Sequence, residues 1–338
     1  MATLAATQLT LVDFAKRLDP GSNSVSQAIA ELLSETNEVL TDMTFKEGNL
    51  PTGHRLTMRT GLPTVTWRKL NEGIASSKST TAQVDEATGM LEAIGTVDAK
   101  LADLNGNTAA FRMSENKAFL EAMSIEMADT LFYGDHTSAP EEFLGLAPRY
   151  STISGATNGQ NVLSGGGSGS DNTSVWLVAW GDKGVHGIFP KGSKAGLQHD
   201  AGKGTEWAFD ASNNRYKAYI DHYTWDMGIA LPDWRYVCRI CNIDVSNLVA
   251  ESSAADLIKL MSRAIDRIPT MKGVKPVFYV NRTVYSMLKI QALTTSSSAL
   301  SVQDAIQQFG GATAKELTFL GIPVRKCDAL LNTEATIS

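Results

Sequence analysis

Residues 44–98 most constrain what this chain can fold into, because they have the pattern of strands but few large apolar side chains. Residues 55–59 (RLTMR) and 64–68 (TVTWR) alternate along the chain, which is typical of strands. Residues 71–83 are rich in Ser, Thr, Lys and Gly and are predicted to form a tip, with a returning strand over 90–97. A two-stranded hairpin is at best marginally stable alone. The sequence therefore predicts a long hairpin that lies against another surface.

The N-terminal residues 1–43 are predicted to form an arm with two short amphipathic helices. The first ends at Asp19-Pro20-Gly21, and the second begins with a capping box in which Ser24 is the cap and Gln27 follows three residues later. Apolar spacing alone does not distinguish packing in the subunit's own core from packing on a neighbouring subunit.

The rest of the chain mixes helices and strands, which indicates an α+β fold. The longest predicted helix covers residues 114–133, with Ser114 as its cap and Gly134 at its end. Two further helices are expected after Ser253 and after Asn281. Strands are predicted at 175–180, 223–229, 236–243, 277–280, 317–320 and 324–327.

Composition excludes several classes of protein. The 338 residues are 43% hydrophobic and 20% charged, which is typical of a folded globular chain. The net charge is −6 and no basic run is present, so tight DNA binding is not expected. Three cysteines are too few for a disulfide framework and indicate a reducing compartment. Neither a secretory signal nor a membrane span is predicted.

The search for catalytic, cofactor and metal motifs leads us to expect none of these sites. Gly196 and Gly202-Lys203 depart from the phosphate-loop pattern in spacing and in the residue after Lys. Cys238 and Cys241 have metal-ligand spacing, but the second ligand pair of a zinc site is missing. The five histidines form no zinc motif, and no G-x-S-x-G nucleophile elbow is present.

The ordered set of elements resembles the major capsid proteins of tailed bacteriophages, whose fold is named after the Hong Kong 97 phage. The hairpin GNLPTGHRLTMRTGLPTVTWRKLNEG resembles the family's E-loop, and residues 114–133 resemble its spine helix. The segments VFYVNRTVYSMLKIQAL and FLGIPVRKCDAL resemble its axial-domain core. The segment WLVAWGDKGVHGIFPKGSKAGL is similar to capsid proteins of podophage type.

This resemblance implies a division into an N-terminal arm (1–43), an E-loop (44–98), a peripheral domain with the spine helix and long strands (99–243) and an axial domain (244–338). In the usual family order the long peripheral strands end the chain, whereas here they precede the axial segment. A permuted connectivity is therefore expected on the same architecture.

The resemblance also implies the function and the partners. The chain would be a non-enzymatic structural protein that self-assembles into the icosahedral head shell around the phage genome, is made in the host bacterial cytoplasm and resides in the virion. Its expected partners are further copies of itself in hexamers and pentamers, a separate scaffolding protein, a portal protein and, in some relatives, a decoration protein. Double-stranded DNA would be enclosed without sequence-specific binding, and no membrane is involved. Trp67 and the arginines Arg55, Arg59 and Arg68 are predicted contact residues, because Trp and Arg are enriched at interface hot spots.

Two alternatives remain open from the sequence. The first is an encapsulin-like nanocompartment shell, which shares the fold. The second is a cytosolic α/β hydrolase that uses His199 and Asp200, which are adjacent in the sequence.

Overall fold

The computed structural model of the chain describes residues 37–104, 108–155, 157–210, 212–251, 255–294, 300–305 and 314–338. The first predicted arm helix and the start of the second lie outside these residues. The second helix was predicted to reach Met43, and within the described residues 37–43 it is present only as the single turn Val39–Asp42. The described helices are α1 (Val39–Asp42), α2 (Ala99–Asp103), α3 (Thr108–Tyr133), α4 (Leu146–Arg149), α5 (Val245–Val249), α6 (Leu257–Arg267) and α7 (Arg282–Thr294), with 3-10 turns at Asn158–Asn161 and Trp234–Tyr236. The described strands are β1 (Phe45–Glu47), β2 (Gly53–Gly61), β3 (Thr80–Ala87), β4 (Gly89–Asp98), β5 (Val162–Ser164), β6 (Asn172–Trp180), β7 (His186–Phe189), β8 (Gln198–Phe209), β9 (Arg215–Ala230), β10 (Val237–Asp244), β11 (Lys275–Val280), β12 (Leu300–Ala305), β13 (Ala314–Phe319) and β14 (Ile322–Lys326).

The described residues form two compact units. The small unit contains residues 90–127 and 196–226, and the large unit contains residues 37–89, 128–195 and 227–338. The four-part division proposed from the sequence differs from these units in its boundaries and remains a prediction. None of the helices in the described residues is both long enough and apolar enough to cross a membrane.

The large unit is built on a seven-stranded sheet in the order β12-β13-β14-β11-β6-β10-β5. Strand β6 pairs antiparallel with β10 on one side and with β11 on the other, and all nine of its residues are buried. This confirms the strand predicted at 175–180 from its continuous apolar run, since a strand buried on both faces does not alternate.

The two faces of β6 contact different layers. Val175, Leu177 and Ala179 belong to a core cluster that also includes buried residues of α6 and α7. On the other face, the Trp176 ring lies 5.9 Å from Phe132 and 6.1 Å from Tyr150, measured between ring centres. The sheet is thus covered on both sides, which is the arrangement that a fully apolar strand requires.

A buried ion pair connects the C-terminal segment to this sheet. The Arg239 guanidinium on β10 donates to the Glu334 carboxylate at 3.0 Å, and both side chains are about 5% exposed. Glu334 also accepts hydrogen bonds from Ser174 and, at 2.6 Å, from the Tyr133 hydroxyl. The guanidinium lies 4.9 Å from the centre of the Trp176 ring. Each buried charge is therefore paired and hydrogen-bonded, as the low-dielectric interior demands.

The helix caps partly agree with the sequence predictions. Helix α7 follows Asn281, whose side chain accepts from the Thr283 amide, and this confirms the predicted cap. Helix α6 begins at Leu257, and its cap is Asp256, whose side chain accepts from the Lys259 amide. Ser253, the predicted cap, lies outside the described residues.

The long helix α3 begins earlier than predicted. It starts at Thr108 rather than after Ser114, so Ser114 lies inside the helix and is not its cap. Phe111 is buried with Val97 and other apolar residues of the small unit, and this packing stabilises the first turns. Tertiary burial here outweighs the weak local preference of Ser for a cap.

The predicted hairpin exists, but its strands are placed differently. Among the described strands, β2 pairs antiparallel only with β3, so the returning strand covers 80–87, half of which the sequence had assigned to the tip. Residues 64–68 are not a strand and lie in the connecting tip. The predicted strand at 90–97 is present as β4, but it pairs with β9 in another sheet.

Asn242 provides a test of how the C-terminal segment is held. It lies at a bulge in β10 with φ of 55°, and its amide group both donates to the Ile337 carbonyl at 2.8 Å and accepts from the Ile337 amide at 2.9 Å. We expect Asn242→Gly to lower the unfolding free energy by about 1–3 kcal/mol through the lost hydrogen bonds. Asn242→Ala should lower the unfolding free energy by about 1 kcal/mol more than Asn242→Gly does. Glycine adopts a left-handed backbone without steric cost, whereas the Cβ atom of alanine makes this conformation unfavourable.

Urea unfolding of the purified subunit measures both values. Equal stability of the two variants would show that the left-handed backbone at position 242 carries no steric cost for alanine. Wild-type stability of Asn242→Gly would show that the hydrogen bonds between Asn242 and Ile337 do not stabilise the C-terminal segment.

Candidate assembly surfaces

The tip between β2 and β3 is an exposed apolar segment. Residues 62–79 contain no helix or strand. Two hydrogen bonds connect residues within the tip: Arg68 donates to the Glu72 carbonyl at 3.0 Å, and Ser77 donates to the Thr64 carbonyl at 2.8 Å. Its large apolar side chains are all exposed to solvent: Leu62, Val65, Trp67, Leu70 and Ile74. The Trp67 side chain is as exposed as in an extended peptide, at 102%. An apolar patch of this kind marks an interaction surface.

The four predicted contact residues lie along this hairpin. Arg55 and Arg59 are in β2, and Trp67 and Arg68 are in the tip. Arg55 forms a two-point ion pair with Asp85 on the opposing strand, at 2.6 and 2.7 Å. This pair raises the pKa of Arg55 and lowers that of Asp85, chiefly through the side-chain hydrogen bond. The Arg55–Asp85 pair thus bridges β2 and β3 at the surface, and the role of the four residues in subunit contacts remains a prediction.

The root of the hairpin is anchored by a second, buried ion pair that the sequence did not indicate. The Glu86 carboxylate on β3 accepts hydrogen bonds from Nη1 and Nη2 of Arg149, both at 2.6 Å, and the two side chains are 6% and 10% exposed. Arg149, which ends α4, also donates to the Leu144 and Gly145 carbonyls. The hairpin is therefore fixed at its base while its tip extends into solvent.

The small unit contains the groove that the enzyme alternative would need. It lies between α3 and the first residues of β8, has a volume of about 590 Å³, and is lined mainly by apolar side chains around one buried carboxylate. That carboxylate is Asp221, whose side chain is 1% exposed. It accepts from Arg112 at 2.8 Å, from Asn116 at 3.0 Å and pairs with His199 Nε2 at 2.9 Å.

His199 pairs with Asp221 and not with Asp200, so the structure does not contain the His199–Asp200 pair that the hydrolase alternative would use. Neighbours in a strand point to opposite faces, and Asp200 lies opposite His222 in the β8–β9 register. Burial acts to raise the pKa of Asp221, but hydrogen bonds from Asn116, Arg112 and His199 outweigh it and lower the pKa. Among the described residues that line the groove there is no Ser, Thr or Cys to act as a nucleophile.

The remaining candidate motifs have structural positions. Cys238 and Cys241 are buried in β10, and burial raises the pKa of Cys238 to about 12 and that of Cys241 to about 11. Thiols in this state are poor metal ligands and poor nucleophiles. The described residues contain no cluster of three or more His, Cys, Asp or Glu side chains that could hold a metal ion. Gly202 lies at an irregularity in the β8–β9 pairing, as part of a strand.

Comparison with known proteins identifies the family. The family model of the major capsid protein GP7 matches residues 21–338. The chain belongs to this capsid protein family. It is also similar to the solved structure of bacteriophage Epsilon15, with 35% sequence identity, a TM-score of 0.74, and coverage of 100% of this chain and 99% of that chain.

Two further solved structures show weaker likeness. The capsid of bacteriophage JBD30 is 9% identical with a TM-score of 0.46, and 95% of this chain and 99% of that chain are covered. The SrpI encapsulin complex of Synechococcus elongatus PCC 7942 is 10% identical with a TM-score of 0.43, and 69% and 96% are covered. Both TM-scores are too low to support a functional argument. No curated protein sequence matches the chain.

Membership of this family confirms the main expectations from the sequence. The fold is the α+β fold of Hong Kong 97-type phage capsid proteins, and the protein is a structural subunit of the icosahedral shell of a phage head. It is therefore a virion component that assembles into oligomers.

The two arginine–carboxylate pairs of the hairpin give a matched test of its anchoring. Arg149→Met leaves the Glu86 carboxylate buried without its cation, and we expect a loss of about 3–5 kcal/mol in unfolding free energy. Arg55→Met removes a pair that is about half exposed on both sides and should leave stability close to that of the wild type.

Denaturant unfolding of both purified variants decides between these outcomes. Similar stabilities for the two variants would show that the hairpin root is not anchored by the buried pair.

Proposed function

We propose that the hairpin tip, residues 62–79, is the element through which each subunit holds a neighbouring subunit in the shell. The observation that supports this proposal is the exposure of every large apolar side chain in the tip. Burying a side chain of this size is worth about 1.5–3 kcal/mol, which a monomer with this hairpin does not gain. A neighbouring copy supplies the missing surface.

Charge on the tip suggests the kind of surface that receives it. Arg68, Lys69 and Lys78 outnumber Glu72, whereas the whole chain has a net charge of −6. A basic, apolar tip is thus complementary to the acidic average surface of another copy. Trp67 and Arg68 would form the centre of the contact, with Arg59 beside them, while Arg55 keeps β2 and β3 aligned.

The proposed partners are those of a subunit that builds a phage head. Subunits would form hexamers and pentamers through contacts that close on rotation. A separate scaffolding protein, a portal protein and, in some shells, a decoration protein would bind to the same assembly. Double-stranded DNA would be enclosed without sequence-specific contacts, consistent with the negative net charge.

A catalytic role is not part of the proposal. The only acid–histidine pair in the groove is Asp221 with His199, considering the residues that the structure describes there. Arg112 and Asn116 of α3 donate hydrogen bonds to the Asp221 carboxylate on β9. We therefore infer that this cluster serves to connect α3 to β9.

Replacing the apolar side chains of the tip tests the proposal. The triple variant Leu62→Ser, Val65→Ser and Trp67→Ser should fold with an unchanged unfolding free energy, because these side chains are between 81% and 102% exposed. Its yield of closed shells should fall at least about tenfold, since interface hot spots contribute 2 kcal/mol or more each. Sedimentation and negative-stain electron microscopy measure the yield.

Val249→Ser is the matched control, as Val249 is an exposed apolar residue of the large unit outside the hairpin, at 54%. A normal shell yield from the triple variant would contradict the proposal, and so would an equal loss in the control.

A further inference from the structure

One face of the β8–β9 hairpin in the small unit carries an exposed row of aromatic and basic side chains. Trp207 lies opposite Lys217 in the antiparallel register, and Phe209 lies opposite Arg215. The Lys217 ammonium lies 4.4 Å from the centre of the Trp207 ring, and the Arg215 guanidinium lies 5.5 Å from that of Phe209. Both aromatic side chains are half exposed. We call these four residues the aromatic–basic ladder.

Strand β4 is the last of the described strands on its side of the sheet, and it carries an exposed row of complementary character. Met90, Glu92 and Ile94 alternate along the strand and therefore share one face. Met90 is 74% exposed and Ile94 is 58% exposed. Glu92, also exposed, lies 3.1 Å from Nε2 of His222 on β9. We call these three residues the acidic–aliphatic stripe.

Helix α3 shows that the ladder and the stripe lie on opposite faces of one sheet. A Cβ atom on Gly95 would lie 3.1 Å from Asn116 of the helix, so α3 covers the face of β4 that is opposite to the stripe. The Arg112 guanidinium of the same helix lies 4.7 Å from the centre of the Tyr219 ring. Tyr219 shares its face of β9 with Lys217 and Arg215. The ladder is therefore on the face that α3 covers, beyond the contacts of the helix, and the stripe is on the other face.

We propose that the aromatic–basic ladder of one subunit docks on the acidic–aliphatic stripe of the next copy in the shell. The inference rests on the proposed function as a self-assembling subunit. Lys217 and Arg215 are complementary in charge to Glu92, and Trp207 and Phe209 offer aromatic area to Met90 and Ile94. Because the two patches differ and lie on opposite faces, the contact is heterologous, which is the type of contact from which rings of identical subunits are built when the rotation closes.

The alternative occupant of a basic, aromatic row is single-stranded nucleic acid, whose bases stack on exposed rings. A second copy is favoured for two reasons. The complementary patch is present on the same chain, and Lys217 and Arg215 already lie over the Trp207 and Phe209 rings on which bases would have to stack. Oligonucleotide binding by the charge-exchange variants distinguishes the two occupants.

Cross-linking in assembled shells tests the pairing directly. Trp207→Cys and Ile94→Cys place thiols on the two patches, while the native Cys238, Cys241 and Cys327 are buried. After treatment with a short bismaleimide, shells of the double variant should give a series of covalent multimers on a denaturing gel. Shells of either single variant should give monomers, and shells co-assembled from the two single variants should give mainly dimers.

Covalent dimers from a single variant, or monomers only from the double variant in intact shells, would overturn the inference. The proposed function would stand in both cases, because electron microscopy of the same sample reports shell formation separately.

Charge exchange gives a second test that does not depend on cysteine. Glu92→Lys alone, and Lys217→Glu combined with Arg215→Glu, should each lower the shell yield at least about tenfold, since like charges then face each other. The three changes together should restore the yield to within about twofold of the wild type. Glu141→Lys, a change at an exposed carboxylate of the large unit, is the control and should have no effect.

Absence of rescue in the combined variant would overturn the pairing. Normal shell yield of the Lys217→Glu and Arg215→Glu variant, with loss of binding to a single-stranded oligonucleotide, would assign the ladder to nucleic acid instead.

Discussion

The large unit depends on one constraint, the complete burial of strand β6. A strand with apolar side chains on both faces needs a paired strand on each side and a packed layer above and below. β10 and β11 supply the pairing, the cluster with α6 and α7 covers one face, and Phe132, Tyr150 and Arg239 contact Trp176 on the other. The C-terminal segment reaches this layer through Glu334, so distant parts of the chain meet at a single strand.

The hairpin of β2 and β3 is the opposite case. Within the part of the chain that the structure describes, its two strands pair only with each other, and its tip exposes Trp67 and four other large apolar side chains. The hydrophobic effect favours burial of these side chains, as it does for β6, but no apolar surface within the described residues covers the tip. In a shell protein this surface is available for the next subunit, and the buried Glu86–Arg149 pair fixes the position from which the tip extends.

Sequence patterns predicted the elements whose partners are local or whose burial is complete. The run of residues 175–180 indicated β6 because both of its faces are apolar, and Asn281 indicated a helix start because its cap contact spans two residues. The resemblance to phage capsid proteins also led to the correct family, since it rests on the order of many elements.

Patterns failed where long-range pairing decides the outcome. Residues 64–68 alternate as in a strand, but the pairing of β2 with β3 ends at Gly61 and Thr80, so these residues lie in the tip. Strand β4 was expected to complete the hairpin, yet it pairs with β9, which lies more than 100 residues away. His199 has a carboxylate beside it in sequence, but strand geometry turns that residue away and brings Asp221 to it instead. Glu86 and Arg149 are 63 positions apart, and nothing local marks them as partners.

Hydrogen–deuterium exchange, compared between the unassembled subunit and the closed shell, shows whether the hairpin tip is covered on assembly. Amides of residues 62–79 should exchange freely in the subunit and become protected in the shell, whereas those of β6 should be protected in both states. Equal exchange of the tip in both states would contradict the claim that this hairpin holds neighbouring subunits together.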